Sequence, residues 1–68
     1  MLLQNILRAK IIEKGSSVSE ISKIMGINNA TFYRKLKKGD EGFSIKDVKI
    51  VVNHLELTRE ETDSIFFA

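Results

Sequence analysis

The chain has 68 residues, a formal net charge of +2, no proline and no cysteine. A chain this short forms one domain with a small core and has little room for an enclosed active site. The absence of cysteine excludes a disulfide scaffold and a thiolate zinc site. No apolar run approaches the ~20 residues of a membrane span, and the first residues lack a signal-peptide pattern. We therefore expect a single cytoplasmic domain, residues 1–68.

Charge is unevenly distributed along the chain. Residues 1–53 carry ten Lys and Arg residues against five acids, whereas residues 54–68 carry one Arg and four acids. Four of the cations fall in positions 34–38, and no acid lies between Glu20 and Asp40. A basic body with an acidic end indicates a polyanionic partner.

The apolar pattern predicts an all-α fold, a compact bundle of about five short helices without strands. The predicted helices cover residues 2–14, 18–25, 29–37, 45–55 and 59–66. In the first, Leu3, Leu7 and Ile11 recur at intervals of four, with Ile6 alongside, and Gly15 follows as a helix end.

Three Ser/Thr-x-x-Asp/Glu boxes predict helix starts. They pair Ser17 with Glu20, Ser44 with Asp47, and Thr58 with Glu61. In each box the hydroxyl caps the helix and the carboxylate reaches back to the cap residue. Between the first two boxes, we expect Gly26 to stop a helix in a left-handed conformation and Asn28 to cap the next helix.

The helical pattern assigns the core. Residues expected to face inward are Val18, Ile21, Met25, Ile27, Phe32, Leu36, Ile45, Val48, Val52, Leu55 and Phe66, with Val51 beside the stripe of its helix. Ser22 lies among them and is small enough for a close helix crossing. Ile50 lies off the stripe of its helix, so it is either a scattered exposed residue or part of a self-association patch with Phe67.

Two short helices joined by Gly26-Ile-Asn28 form a candidate helix-turn-helix. The second helix buries Phe32 and Leu36 and exposes a polar, cationic face. Such a face has the width of a helix laid in a DNA major groove.

The sequence here resembles the Cro/phage-repressor (XRE-like) helix-turn-helix family, from about Ser16 to Leu57. The resemblance rests on Ile21, Gly26, Ile27, Phe32 and Gly39. The stretch Thr31-Phe-Tyr-Arg-Lys-Leu36, with the closing Ile65-Phe66-Phe67, looks like small Cro-like regulators of bacteriophages and prophages. The resemblance implies a bundle of about five helices whose second motif helix reads operator DNA.

Three positions depart from the family pattern. Val18 stands where a phosphate-contacting glutamine is common, so that contact is not expected here. Ser22 stands where alanine is common. Lys35 stands where an apolar residue is frequent, and we expect Leu36 to take its packing role.

We predict DNA base contacts from Asn28, Asn29, Ala30, Tyr33 and Arg34. An Asn amide can bond adenine N6 and N7, a small Ala can touch a thymine methyl, and Arg34 can fork onto guanine or phosphate. Each has a plainer alternative. Asn28 is then only a cap, Ala30 an idle surface residue, Tyr33 a half-covered flank residue or phosphate donor, and Arg34 a surface residue stacked on Tyr33.

We predict DNA phosphate contacts from Ser16, Ser17, Ser19, Lys37, Lys38, Ser44 and Lys46. The serines lie near helix starts, where N–H groups favour anions, and the lysines flank the second motif helix or begin the fourth. For Ser17, capping alone is the favoured interpretation.

The predicted function is a sequence-specific DNA-binding transcriptional regulator of Cro type in the cytoplasm of a bacterial host. Its partner is double-stranded operator DNA, expected to be two-fold, on which a homodimer forms. The alternative is a small module that binds another phage regulator through the acidic end and Ile50/Phe67. A basic RNA binder is a third option, but the paired aromatic platforms of single-strand binders are missing.

We expect no enzymatic activity. Ser44, Asp47 and His54 contain the groups of a hydrolytic triad, but the pattern supplies no oxyanion hole and no cleft. No glycine-rich nucleotide motif occurs, and His54 is the only histidine. We therefore predict no cofactor, metal or small-molecule ligand, and no membrane contact.

Overall fold

The computed structural model describes residue 2 and residues 4–67, and its helices confirm the predicted all-α fold. The five α-helices are α1 Gln4–Glu13, α2 Val18–Met25, α3 Asn29–Lys38, α4 Ile45–Leu55 and α5 Arg59–Phe66. A 3₁₀ helix, Gly39–Gly42, joins α3 to α4, and no strand occurs in the described part of the chain. α1 is shorter than predicted because residue 2 is not helical and Lys14 is already in a turn. Leu3, assigned to its apolar stripe, lies outside the described residues.

The predicted caps begin the helices. Ser44 with Asp47 and Thr58 with Glu61 form complete capping boxes. The remaining box, Ser17 with Glu20, is only half formed. Ser17 Oγ accepts from the backbone N–H of Glu20 at 3.1 Å, but the Glu20 carboxylate accepts from the neighbouring Ser16 hydroxyl instead of reaching back to Ser17.

The core lies where all five helices meet. Its side chains are Leu2, Leu7, Ile11, Ile21, Phe32, Leu36, Phe43, Val51, Leu55, Leu57, Ile65 and Phe66. A row of edge-to-face rings crosses it, with centroids 6.1 Å apart from Phe32 to Phe43 and 6.0 Å apart from Phe43 to Phe66. Ile27 and Val48 are partly buried and pack against this core, as do Val18, Met25 and Val52.

Ile45 was predicted to lie in the core, and this prediction is wrong. Its side chain is 67% exposed, although it fits the apolar stripe of α4. Ile45 is the first residue of α4, so it lies at the margin of the bundle, where it lines a shallow groove with Phe43 and Phe67. Val51, placed beside the stripe from the sequence, is fully buried and supplies the contact deeper in the core.

The two residues of the proposed self-association patch differ in exposure. Phe67 is 60% exposed, whereas Ile50 is partly buried. The groove that Phe67 lines, about 250 Å³ in volume, includes Ile45 and does not include Ile50. Self-association through these residues stays a prediction.

Ion pairs tie the helices together around the core. Lys10 of α1 lies 2.8 Å and Lys14 lies 3.4 Å from the Glu61 carboxylate of α5. The hydrogen bond from Lys10, helped by the Thr58 N–H, lowers the pKa of Glu61 to about 2. Lys35 of α3 bonds Asp47 of α4 at 3.0 Å. The described helices include none long and apolar enough to cross a membrane.

Ser22 of α2 is buried, and its exposed fraction is 1%. Its hydroxyl has no hydrogen-bond partner among the described residues. A buried hydroxyl without a partner has lost its hydrogen bonds to water and has gained none within the protein, which is destabilising.

We therefore expect Ser22→Ala to raise the free energy of unfolding by about 1 kcal/mol, because it removes the unpaired hydroxyl and leaves the packing almost unchanged. Ser22→Val tests whether the site has spare room. Valine places two methyl groups where serine has one hydroxyl, and the extra volume at a close helix crossing should destabilise the fold by about 1–3 kcal/mol. Urea unfolding followed by circular dichroism measures both. A loss of stability in Ser22→Ala would show that the hydroxyl is satisfied in solution.

The pH dependence of stability should follow the carboxylates of Glu61 and Asp47. Burial opposes ionisation of Asp47, but hydrogen bonds from Lys35 and Ser44 leave its pKa below the ordinary value. The folded pKa of Glu61 is about 2 against an ordinary 4.5. Both groups thus stabilise the fold above their unfolded pKa values. The contribution of Glu61 is lost as the pH falls from about 4.5 towards 2, and that of Asp47 is lost as the pH falls below its ordinary pKa of 3.8.

Urea unfolding at a series of pH values measures this loss. Glu61→Gln should lower stability at neutral pH and flatten the pH dependence in that window. Glu60→Gln, on the same helix but without an ion pair among the described residues, should leave the profile steep. A profile of Glu61→Gln as steep as that of the unsubstituted protein would contradict the assignment.

Candidate nucleic-acid interface

The turn between α2 and α3 has the local conformation that the sequence predicts. Gly26 adopts a left-handed conformation, φ +75°, and its N–H bonds the carbonyls of Ser22 and Lys23 at the end of α2. Ile27 then packs against the core. Asn28 caps α3 through a 2.8 Å bond from the Thr31 N–H to its side-chain oxygen. α2 and α3 thus form one packed pair in which α3 lies at the surface.

The outward face of α3 contains every residue predicted to contact bases. Asn28, Asn29, Ala30, Tyr33 and Arg34 are all exposed. Phe32 and Leu36 on the opposite side are 0% and 2% exposed, so the helix can present only this face to a partner. At 100° per residue, Ala30 lies near the centre of the exposed arc, with Tyr33 on one flank and Arg34 on the other.

Two of the candidate base-contact side chains are held by neighbours. The Asn29 amide donates to Ser19 Oγ on α2 at 3.1 Å, and Arg34 donates to Thr31 Oγ1 one turn earlier at 3.0 Å. The Asn29 bond uses one amide hydrogen, so the carbonyl oxygen and the second hydrogen remain for an adenine edge. Arg34 likewise keeps most of its five donors.

Asn28 differs because its carbonyl oxygen is occupied by the cap. A two-bond contact to adenine needs that oxygen as an acceptor, so such a contact would compete with the start of α3. The geometry therefore favours the capping role for Asn28 and leaves its NH₂ group free for a single donor bond.

The predicted phosphate-contact serines are engaged within the protein to different degrees. Ser17 and Ser44 accept backbone N–H bonds, and Ser19 accepts from Asn29, so each hydroxyl proton remains available to a phosphate. Ser16 lies 3.1 Å from a Glu20 carboxylate oxygen and 2.7 Å from His54 Nε2. Its proton is committed there, and the adjacent carboxylate disfavours an anion.

The cation cluster at 34–38 is divided by the fold. Lys35 turns inward to Asp47 and also bonds the Gly42 carbonyl at 3.1 Å, while Leu36 fills the core. The structure thus places Leu36 in the packing role expected of it. Arg34, Lys37 and Lys38 remain exposed, as does Lys46 at the start of α4. No acidic residue occurs in α3.

Arg8 of α1 is a candidate residue that the sequence did not reveal. Its guanidinium carbon lies 6.0 Å from the centre of the Tyr33 ring. A cation on the polar side of α1 is an ordinary surface feature, and 25 residues separate it from Tyr33. Only the packing of α1 against the α2–α3 pair brings the two together.

The remaining chemistry-bearing residues are dispersed. His54 contacts Ser16 near the end of α4, whereas Ser44 and Asp47 cap its start, so these three do not meet in a triad. No group of three or more His, Cys, Asp or Glu side chains is positioned to hold a metal ion within residues 4–67.

Comparison with protein-family models, with curated proteins and with solved structures finds no match to this chain.

Proposed function

We propose that the protein is a sequence-specific DNA-binding transcriptional regulator of Cro-like helix-turn-helix type, which places α3 in the major groove of an operator. The observation that carries this proposal is the outward face of α3. It combines base-reading side chains with free cations, it contains no acid, and its orientation is set by buried Phe32 and Leu36. A helix-turn-helix fold alone would not suffice, because folds host many functions.

The size and shape of α3 support this mode of binding. α3 has ten residues. A helix with its side chains is roughly 10–12 Å across, which fits a major groove about 12 Å wide. Small Ala30 at the centre of the face permits close approach to base edges. On the flanks, Asn29 suits adenine and Arg34 suits guanine, since both can form paired hydrogen bonds.

The lysines and the free hydroxyls around α3 would anchor the DNA backbone. Lys37 and Lys38 end α3, and Lys46 lies at the start of α4. Ser17, Ser19 and Ser44 retain donors for phosphate oxygens. Contacts of this kind set affinity and register without reading sequence, so binding should weaken steeply with salt.

A two-fold operator would bring two copies of the chain onto the DNA. The dimer would then form on the DNA, in the cytoplasm of a bacterial host. Whether the regulator blocks or assists transcription depends on where its operator lies relative to the promoter.

Selection from a library of randomised duplexes tests the proposal directly. We expect enrichment of a short sequence, in two inverted copies about one helical turn apart if a two-fold dimer binds. A single enriched half-site would indicate a monomer. No enrichment, with residual binding abolished at moderate salt, would overturn the proposal and favour a protein-interaction module instead.

Arg34→Ala should weaken binding to the selected site by about 1–3 kcal/mol while changing binding to random DNA far less, because a guanidinium on guanine discriminates between bases. Lys38→Ala is the matched comparison, since the loss of a phosphate contact should weaken binding to both duplexes equally. Fluorescence anisotropy with both duplexes measures the difference. Equal weakening by Arg34→Ala would make Arg34 a phosphate anchor.

A further inference from the structure

Arg8 differs from the two nearby lysines in its ion pairs. Lys10 of α1 lies between Glu13 and Glu61, and Lys14, just after α1, lies 3.4 Å from Glu61. Arg8 is exposed and makes no ion pair within the described residues, and its guanidinium lies over the ring of Tyr33 on the α3 side. The two flanks of α1 thus have different electrostatic character, and the unneutralised flank adjoins α3.

The contact with Tyr33 holds Arg8 without using its hydrogen-bond donors. The guanidinium carbon of Arg8 lies 6.0 Å from the Tyr33 centroid, and a cation–π contact of this kind is an electrostatic attraction to the ring that does not require the N–H donors. Tyr33 is itself set by α3, and its ring lies edge-on to buried Phe32 at 6.3 Å. Arg8 is therefore positioned by the same helix that carries the base-reading face.

A shallow groove of about 320 Å³ separates Arg8 from the start of α2 and the start of α3. Its polar edge includes Ser16, Ser17, Ser19 and Asn29. Its lining contains one cation, Arg8, and no carboxylate, although the Ser16 hydroxyl contacts the carboxylate of nearby Glu20. A chain of phosphates running along the flank of α3 would pass this groove. The opposite flank of α3, beyond Arg34, carries Lys38.

We infer that Arg8, held by Tyr33, binds a backbone phosphate of the DNA strand on the α1 side of the groove occupied by α3. This inference rests on the proposed function and extends the interface to α1. Arg8 would then contact the backbone at one wall of the major groove, and Lys38 would contact the backbone at the other. Contacts to both strands would set the register of Arg34 and Asn29 against the bases.

The test uses the salt dependence of binding, which a purely structural role of Arg8 would not alter. Arg8→Gln removes one cation, so the slope of log affinity against log salt should become shallower by about 0.9. Affinity should fall by roughly fivefold to tenfold at 0.1 M salt. The loss should be the same on the selected duplex and on random duplex, because phosphates carry no sequence information.

Two further variants define the contribution of charge and of position. Arg8→Lys retains the charge and should keep the full salt slope. Tyr33→Leu removes the ring that holds the guanidinium, and the loss caused by Arg8→Gln should be smaller in that background, which a double-mutant cycle measures. Tyr33→Phe keeps the ring and should preserve the full effect of Arg8→Gln.

Arg59→Gln is the matched control, since Arg59 is an exposed arginine on α5 without an ion pair among the described residues. It should leave the slope unchanged. If the unsubstituted chain binds duplex DNA but Arg8→Gln retains its slope, or Arg59→Gln loses as much, the inference about Arg8 is wrong and the proposed function stands. If the unsubstituted chain binds no duplex, both are wrong.

Discussion

The burial of Phe32 and Leu36 is the constraint on which the candidate interface depends. These side chains are 0% and 2% exposed, and burying each contributes roughly 1.5–3 kcal/mol. A rotation of α3 by one residue position would move Phe32 and Leu36 towards solvent. It would bring Tyr33 and Lys37, or Thr31 and Lys35, to their places in the core, which is unfavourable on both counts. The face formed by Asn29, Ala30 and Arg34 is therefore presented outward because its opposite face is anchored.

The turn at Gly26 and the aromatic row supply the rest of this anchoring. Gly26 accepts a positive φ that lets α3 leave α2 at a sharp angle. Phe43, just after the 3₁₀ helix, contacts the rings of both Phe32 and Phe66 and so joins α3 to α5. Much of the chain outside the α2–α3 pair thus serves as a support that keeps one short helix in place. A 68-residue domain has few other means of holding a helix rigidly.

The same packing determines which charged side chains form ion pairs. Lys35 pairs with Asp47, Lys10 pairs with Glu13 and Glu61, and Lys14 pairs with Glu61. Arg34, Lys37 and Lys38 make no ion pair among the described residues, although Glu41 lines the same groove as Arg34 and Lys38. The net charge of +2 conceals this separation, because the acids of the last residues offset cations that lie elsewhere on the molecule.

The sequence by itself determined the five helices, their caps and the outward face of α3. These features follow from local rules: apolar periodicity, side chains that cap N-termini, and a glycine where φ must be positive. The tertiary structure alone decided contacts between distant segments. In this structure Lys35 turns inward to Asp47, and Ile45 is exposed. Ser16 contacts His54, and Arg8 lies over the ring of Tyr33. No periodicity encodes such pairs, because each depends on how two helices far apart in the chain are oriented when their apolar faces pack together.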